Sequence, residues 1–142
     1  MQKVAYLAHP VGGDVINNLE KAKSWFKFLT QLAHPPDGVP NWDSTLIGIT
    51  YSADWITECQ LWDDADPKQR SAGMNRNFQR LLRCDGIVMV GPKVSAGMQR
   101  EADVAYGKGL YVLDLTGRSQ ASILAAVESK GNAMMAVRDL VE

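Results

Sequence analysis

Short apolar segments alternate with amphipathic segments along this chain, and that alternation most constrains its fold. Four segments are short and β-prone: residues 3–8, 45–51, 87–90 and 110–113. The segment 87–90 reads IVMV, an unbroken apolar run typical of a strand buried on both faces. Strands that alternate with helices predict βαβ units, and therefore a mostly parallel sheet covered by helices on both faces.

The intervening segments have helical periodicity. We expect helices over residues 15–33, 68–83 and 96–108, a short helix within 53–66, and one or two closing helices over 119–129 and 132–141. The first helix is predicted from apolar residues that recur every three or four positions, namely Ile16, Leu19, Ala22, Phe26, Leu29 and Ala33. The expected architecture is a flavodoxin-like, doubly wound α/β domain.

Composition narrows the class of protein. A chain of 142 residues with 46% hydrophobic and 22% charged residues predicts one globular domain over residues 1–142. A net charge of −1 argues against a nucleic-acid polymer as partner. The sequence shows neither a membrane-spanning run nor a signal peptide. Cys59 and Cys84 form no CxxC pair, so a cytoplasmic location is expected.

Ligands of such sheets bind beyond the carboxyl ends of the strands, here at residues 9–14 and 91–97. Several familiar sites are missing from the sequence. It contains no GxxxxGK[ST] loop, no GxGxxG after a strand and no GxSxG elbow. His9 and His34 lie at opposite ends of a predicted helix and make no metal-ligand pair.

The segment Ser95-Ala96-Gly97-Met98-Gln99-Arg100-Glu101 is a loop that opens onto a helix. Free backbone N–H groups and the helix dipole favour an anion near Ser95 and Gly97. An early-helix position is expected to keep Glu101 ionised, so that its replacement by Gln would change folding little. On local sequence alone, the favoured interpretation is that Ser95 is only an N-cap and Glu101 only a favourable early-helix acid.

Three segments together resemble a known family. They are YLAHP at residues 6–10, CDGIVMV at 84–90, and Ser95-x-Gly97-x-x-x-Glu101, which continues through Ala105 and Gly109 to Val112. In order and spacing they are similar to the nucleoside 2-deoxyribosyltransferases and their relatives, the deoxynucleoside-monophosphate N-glycoside hydrolases. The resemblance covers most of the chain.

The resemblance implies a function for two residues. Glu101 would be a nucleophile that attacks C1′ of a (deoxy)ribose, expels the base and forms a covalent glycosyl ester, which water or a second base resolves. Tyr6 would position that carboxylate or the sugar, or would be only a half-buried strand tyrosine. The implied partner is a nucleoside or nucleotide, and no metal or organic cofactor is implied.

The resemblance implies further site residues from their positions relative to the three segments. Ser95 stands where the hydrolases have a serine that contacts a 5′-phosphate, and Gly97 belongs to the same motif. His9 could contact base or phosphate, or cap its loop. Asp14 could touch ligand or serve as an N-cap, and Met98 could line the sugar pocket or pack in the core.

One position departs from the family. Asn77 stands where many members have an aspartate that protonates or orients the leaving base. An amide can form a hydrogen bond with a base but cannot act as a general acid. Asp63, Asp64 or Asp66 could supply the acid, or could form a solvated loop.

Two other functions are therefore compatible with the sequence. One is a nucleotide-binding or sensor module that has lost turnover, which the amide at position 77 suggests. The other is the phosphoribohydrolase type with a PGGxGTxxE motif, but the segment 91–97 lacks the paired glycines and the threonine of that motif.

Aromatic content predicts an assembly. The chain has four tryptophans, with Trp25 next to Phe26 and Trp55 near Trp62. That is more aromatic surface than one small core hides readily. Members of the resembled family share active sites across subunits, so a homodimer or higher homo-oligomer is expected.

Overall fold

A computed structural model describes residues 3–34, 48–63 and 65–128. Its four strands are β1 (Lys3–Ala8), β2 (Ile49–Ser52), β3 (Gly86–Met89) and β4 (Tyr111–Asp114). All strand pairs are parallel, and the strand order is β2-β1-β3-β4. The predicted flavodoxin-like α/β class is confirmed.

The helices are α1 (Val15–Leu32), α2 (Trp55–Glu58), α3 (Pro67–Leu82), α4 (Ala96–Gly107) and α5 (Gln120–Glu128), and a 3₁₀ turn, Cys59–Leu61, follows α2. The predicted ends of β1, β3, β4, α1, α3 and α4 lie within one residue of the observed ends. The predicted helix 132–141 and the first part of the predicted strand 45–51 lie outside the described residues.

The sheet has an apolar layer on each face, because successive strand residues point to opposite sides. On one face Leu7 and Val88 pack with α1 and α5. On the other face Tyr6 and Ile87 pack with α2, α3 and α4. Residues of β1 and β3 therefore lie in both cores, as an apolar run such as IVMV predicts.

The buried face of α1 differs from the predicted one. Trp25 is 8% exposed, whereas Phe26 and Ile16 are 37% and 79% exposed. The buried residues are Leu19, Ala22, Trp25, Leu29 and Leu32. A neighbouring position is turned by about 100° around a helix, so Phe26 leaves this face once Trp25 occupies it.

The tryptophans supply less exposed surface than expected. Trp25 is buried, and Trp55 is 3% exposed and donates its indole N–H to the Leu7 carbonyl at 2.7 Å. These two side chains are satisfied within one chain. The homo-oligomer remains a prediction. It now rests on other exposed apolar residues such as Leu61 and Tyr106.

Asp85 ties β3 to β1 at their amino ends. Its Oδ2 atom accepts a hydrogen bond from the Val4 N–H at 2.8 Å, and its own N–H donates to the Val4 carbonyl at 2.7 Å. Asp85 thus fixes the start of β3 against β1. Among the helices of the described residues, none is both long and apolar enough to cross a bilayer.

Gly86 provides a test of the packing at the start of β3. A Cβ atom at this position would lie 2.4–2.5 Å from atoms of the Tyr111 ring on β4. We expect Gly86→Ala to lower the free energy of unfolding in urea by about 1–3 kcal/mol, because the ring must move. Gly107→Ala is the control, since a Cβ there meets nothing within 4 Å. Equal stability of the two variants would contradict this packing.

Candidate functional site

A cavity of about 370 Å³ opens where β1 and β3 end. The strand order reverses between these two strands, because β1 leads to β2 on one side and β3 leads to β4 on the other. Such a switch point is the usual ligand site of an open parallel sheet. The cavity brings together seven of the predicted site residues: Tyr6, His9, Asn77, Ser95, Gly97, Met98 and Glu101.

The predicted acidic candidates outside this set lie elsewhere. Asp14 is exposed, and its carboxylate caps α1 by accepting from the Asn17 N–H at 3.3 Å. Asp66 caps α3 in the same way through the Lys68 N–H, and Asp63 accepts from the Ala65 N–H. None of the three lines the cavity. Asp64 lies outside the described residues.

Glu101 and Tyr6 form a hydrogen-bonded pair at the bottom of this cavity. The Tyr6 side chain is 1% exposed, and its hydroxyl bonds to the Glu101 carboxylate. The Oε2 atom of Glu101 is inaccessible and has no hydrogen-bond partner among the described residues. A buried carboxylate oxygen without a partner is unusual, because its desolvation is not compensated.

Burial changes the charge of this pair. It raises the pKa of Glu101 to about 7, and the hydrogen bond from Tyr6 opposes this rise only in part. The expectation that an early-helix position keeps Glu101 fully ionised is therefore wrong. Glu101 lies beyond the first turn of α4, where the helix dipole has little effect.

Tyr6 remains a proton donor. Burial first, and then the charge of Glu101, raise the pKa of its hydroxyl well above the ordinary value. A hydroxyl that stays protonated can donate to the Glu101 carboxylate but cannot itself serve as a base. While Glu101 is ionised, the hydrogen bond therefore runs from the Tyr6 O–H to the Glu101 oxygen.

His9 presents an acceptor. The side chain is 4% exposed, and its Nδ1 atom lies 2.7 Å from the Pro10 carbonyl oxygen. A carbonyl only accepts, so Nδ1 must carry the proton. Burial lowers the pKa of His9, so the ring is neutral at pH 7 and the buried Nε2 lone pair has no partner in the described chain. This arrangement suits a ligand hydroxyl or N–H better than a phosphate.

The amino terminus of α4 presents donors. Ser95 caps the helix, because its Oγ atom accepts from the Met98 N–H at 3.2 Å. The N–H groups of Ala96 and Gly97 have no intrahelical acceptor, and both residues line the cavity. A Cβ at Gly97 would meet only Ser95 Oγ, at 4.0 Å, so the space beside it is open.

Met98 lies between the core and the cavity. It is 1% exposed and packs in the core beneath α4, yet the residue also borders the cavity. Its Sδ atom accepts from the Ser95 N–H at 3.5 Å, which completes the cap of α4. Met98 thus connects the helix cap to the core.

Apart from Asn77, the wall on α2 and α3 was not predicted from sequence. Glu58 forms ion pairs with Arg76 and Arg80, and Arg80 Nη1 donates to Asn77 Oδ1 at 3.0 Å. The wall also includes apolar residues: Trp55, Trp62, Met74 and Phe78. Met74 and Phe78 are four positions apart, as are residues on the core-facing side of any helix. The sequence therefore does not indicate that they line a cavity.

No group of three or more His, Cys, Asp or Glu residues in the described chain is arranged to hold a metal ion. The polar residues that line the cavity include two carboxylates, two side-chain amides, two arginines, the imidazole acceptor and the start of a helix, namely Glu58, Glu101, Gln69, Asn77, Arg70, Arg100, His9 and Ser95–Gly97. This set can bind an anion and a hydroxyl-bearing ligand, and can deliver a carboxylate to an electrophile.

The pKa of Glu101 predicts a pH-dependent stability. The pKa is about 7 in the fold against 4.5 ordinarily. Ionisation of Glu101 therefore leaves the free energy of unfolding unchanged at pH 4, lowers it progressively between pH 4.5 and 7, and lowers it by a constant amount above pH 7. We expect Glu101→Gln to exceed the wild type in free energy of unfolding by up to about 3 kcal/mol at pH 8, and to match it at pH 4.

Urea unfolding at the two pH values measures this difference. Asp103→Asn is the matched control, because Asp103 is an exposed carboxylate on the same helix. The control should show no comparable gain at pH 8. A constant difference between Glu101→Gln and the wild type at both pH values would mean that the fold does not oppose the charge.

Comparison with known proteins gives a partial match. Residues 49–114 match the model of a family described as a domain of unknown function (DUF7768). This segment runs from β2 to β4 and contains Asn77, Ser95 and Glu101, whereas Tyr6 and His9 precede it. No curated protein matches the chain. The chain is thus similar to this family over its central part, and its function has to be argued from the site.

Proposed function

We propose that this protein cleaves or transfers the N-glycosidic bond of a nucleoside or nucleoside 5′-monophosphate through a covalent glycosyl–Glu101 intermediate. The observation that carries the proposal is the Glu101 carboxylate, which lies in the switch-point cavity, bonds to Tyr6 and has a buried oxygen without a partner. A structural glutamate would be expected to have both oxygens satisfied or solvated.

The reaction proceeds in two displacements. The Glu101 carboxylate attacks C1′ of the sugar, the C1′–N bond breaks, and its electron pair leaves with the base. Water or a second base then attacks C1′, the C1′–O bond of the ester breaks, and its electron pair returns to the Glu101 carboxylate. When water attacks, the proton that it releases neutralises the expelled base. Tyr6 donates a hydrogen bond that orients the carboxylate. Two easier steps replace one difficult displacement, which is the advantage of a covalent nucleophile.

The other polar groups fit the remaining parts of such a substrate. The N–H groups at the start of α4 and the Ser95 hydroxyl suit a 5′-phosphate, because they donate and lie at the positive end of a helix dipole. The Nε2 acceptor of His9 suits a sugar hydroxyl. A volume of about 370 Å³ lies within the usual range for small-molecule sites.

Asn77 favours a second candidate function. Its amide cannot protonate a leaving base, and neither Asp63 nor Asp66 lines the cavity to replace it. A nucleotide-binding or sensor module would need the contacts to the anion and to the base. It would not need efficient turnover. The experiment below separates the two functions.

The central test is Glu101→Gln. Gln keeps the size of the side chain and an acceptor for Tyr6 but loses the nucleophile, so turnover should fall by several orders of magnitude. In the wild type, kcat/KM should rise as pH increases through about 7, because only the ionised carboxylate attacks. Base release from a panel of nucleosides and 5′-monophosphates, with and without an acceptor base, is followed by chromatography.

Asp103→Asn serves as the control and should keep wild-type turnover. Base release without an acceptor identifies a hydrolase, and exchange that needs an acceptor identifies a transferase. Base release by Glu101→Gln near the wild-type rate would contradict the mechanism. Tight monophosphate binding by the wild type without base release would indicate the sensor module.

Ser95→Ala tests the phosphate contact. The Ser95 oxygen accepts from the Met98 N–H, so its hydrogen remains available to a ligand. Losing a hydrogen bond to a charged group costs about 1.5–3 kcal/mol, so monophosphate affinity should fall roughly tenfold or more while nucleoside affinity is spared. Ser119→Ala removes a comparable serine contact at α5 and is the control. Equal losses for both ligand types in Ser95→Ala would identify a structural cap.

A further inference from the structure

Two helices begin beside the mouth of the cavity. α3 precedes β3 and α4 follows it, and a helix between parallel strands runs back against the strand direction. Both helices therefore have their amino ends at the carboxyl edge of the sheet. Each carries an exposed arginine near that end, and both arginines line the cavity: Arg70 on α3 and Arg100 on α4. The mouth thus carries two guanidinium groups, in a chain whose net charge is −1.

Arg100 lies beside the N–H donors of α4. It follows Gly97 by three positions and Ala96 by four, so the three residues share one side of the helix. A helical side chain tilts toward the amino end of its helix, which directs the Arg100 guanidinium back toward the free N–H groups. An anion bound at those N–H groups would therefore have a guanidinium next to it.

The carboxylates of the cavity leave Arg100 unpaired. Within the described part of the chain, Arg100 takes part in no ion pair. Glu58 is already paired with Arg76 and Arg80. Glu101 lies at the bottom of the cavity and bonds to Tyr6. A guanidinium that borders a cavity without a carboxylate partner is suited to a phosphate, which it binds through two parallel hydrogen bonds.

The donors at the start of α4 form two groups. The first group is the N–H groups of Ala96 and Gly97 with the Ser95 hydroxyl, and its three hydrogens match the three free oxygens of one phosphate. The second group is the Arg100 guanidinium, which has five further donors. One phosphate on the first group leaves the guanidinium available to a second anionic group of the same ligand.

His9 indicates independently that a ligand enters this cavity. Its side chain is 4% exposed, and its Nε2 atom is buried without a hydrogen-bond partner among the described residues. His9 also borders the cavity. A neutral acceptor of this kind suits a sugar hydroxyl and not a phosphate. The anionic end of a ligand is therefore left to α4 and to the arginines of the mouth.

We propose that the substrate of this site is a nucleoside 5′-diphosphate, whose first phosphate binds the N–H groups of Ala96 and Gly97 and whose second phosphate binds Arg100. The recognised chemistry is the 5′-diphosphate group, whether its second phosphate is free or esterified. This inference rests on the proposed function, because it names the substrate class of the same reaction. Arg100 is a specificity-determining residue, since it contacts the substrate at the end remote from C1′.

Nucleotides that differ only in their phosphates test the proposal. Glu101→Gln protein, which keeps the ligand intact, is titrated with the 5′-monophosphates and 5′-diphosphates of the common ribonucleosides and deoxynucleosides. Each diphosphate that binds is also tested as the methyl ester of its second phosphate. Quenching of tryptophan fluorescence reports binding, because Trp55 and Trp62 line the cavity.

We expect at least one diphosphate to bind about fivefold or more tightly than its monophosphate, because its second phosphate pairs with an exposed guanidinium. In the double variant with Arg100→Met this advantage should fall below about twofold, while monophosphate affinity changes less. Arg83→Met is the matched control and should keep the advantage, since Arg83 is an exposed arginine at the end of α3 that does not line the cavity. A methyl ester that keeps the advantage identifies an esterified diphosphate as the ligand, and one that loses it identifies a free diphosphate; both results support the proposal.

The outcomes separate this inference from the proposed function. If monophosphates bind and no diphosphate binds more tightly, or if the advantage persists in Arg100→Met, the inference is overturned while the proposed function stands. An equal loss of the advantage in Arg83→Met would show a general effect of charge and would also overturn the inference. If no nucleoside or nucleotide binds even to the wild type, the proposed function is overturned and the diphosphate assignment with it.

Discussion

The parallel pairing of β1 with β3 is the constraint on which the site depends. Tyr6 pairs with Ile87 and Ala8 with Met89, so both strands end at the same edge of the sheet. After β1 the chain continues to one side of the sheet, and after β3 it continues to the other side. No connection therefore covers that edge. The segment after β3 leads into α4, which carries Glu101 to the Tyr6 hydroxyl. Any shift in this register would separate the two residues.

Burial then decides the chemistry of Glu101. The same apolar layer that packs α4 against the sheet removes water from the carboxylate, which raises its pKa to about 7. A desolvated carboxylate destabilises the fold when it is ionised. The fold thus keeps this carboxylate at the expense of stability, as functional sites commonly do.

A second, partly buried network lies on the opposite wall. Glu58 and Arg80 form a pair of low exposure, and Arg80 fixes the amide of Asn77. Buried ion pairs contribute little net stability, because their desolvation offsets their attraction. Their effect here is to define one orientation of a polar group.

Much of the site could be predicted because its motif is contiguous. Ser95, Gly97 and Glu101 lie within seven residues, and loop-to-helix chemistry alone points to an anion site there. Asp14 shows the limit of this reasoning. Its position beside a predicted ligand loop suggests a contact, but N-capping of α1 uses its carboxylate, and the structure places it outside the cavity.

The sequence by itself determined the alternation of strands and helices, the parallel sheet and the edge at which the cavity lies. These properties follow from local periodicity and from apolar runs, which act over a few residues. Only the tertiary structure decided that Trp25 and not Phe26 is buried, that Glu101 is largely desolvated, and that Arg80 controls Asn77. Desolvation and ion pairing depend on residues distant in sequence, which periodicity cannot reveal.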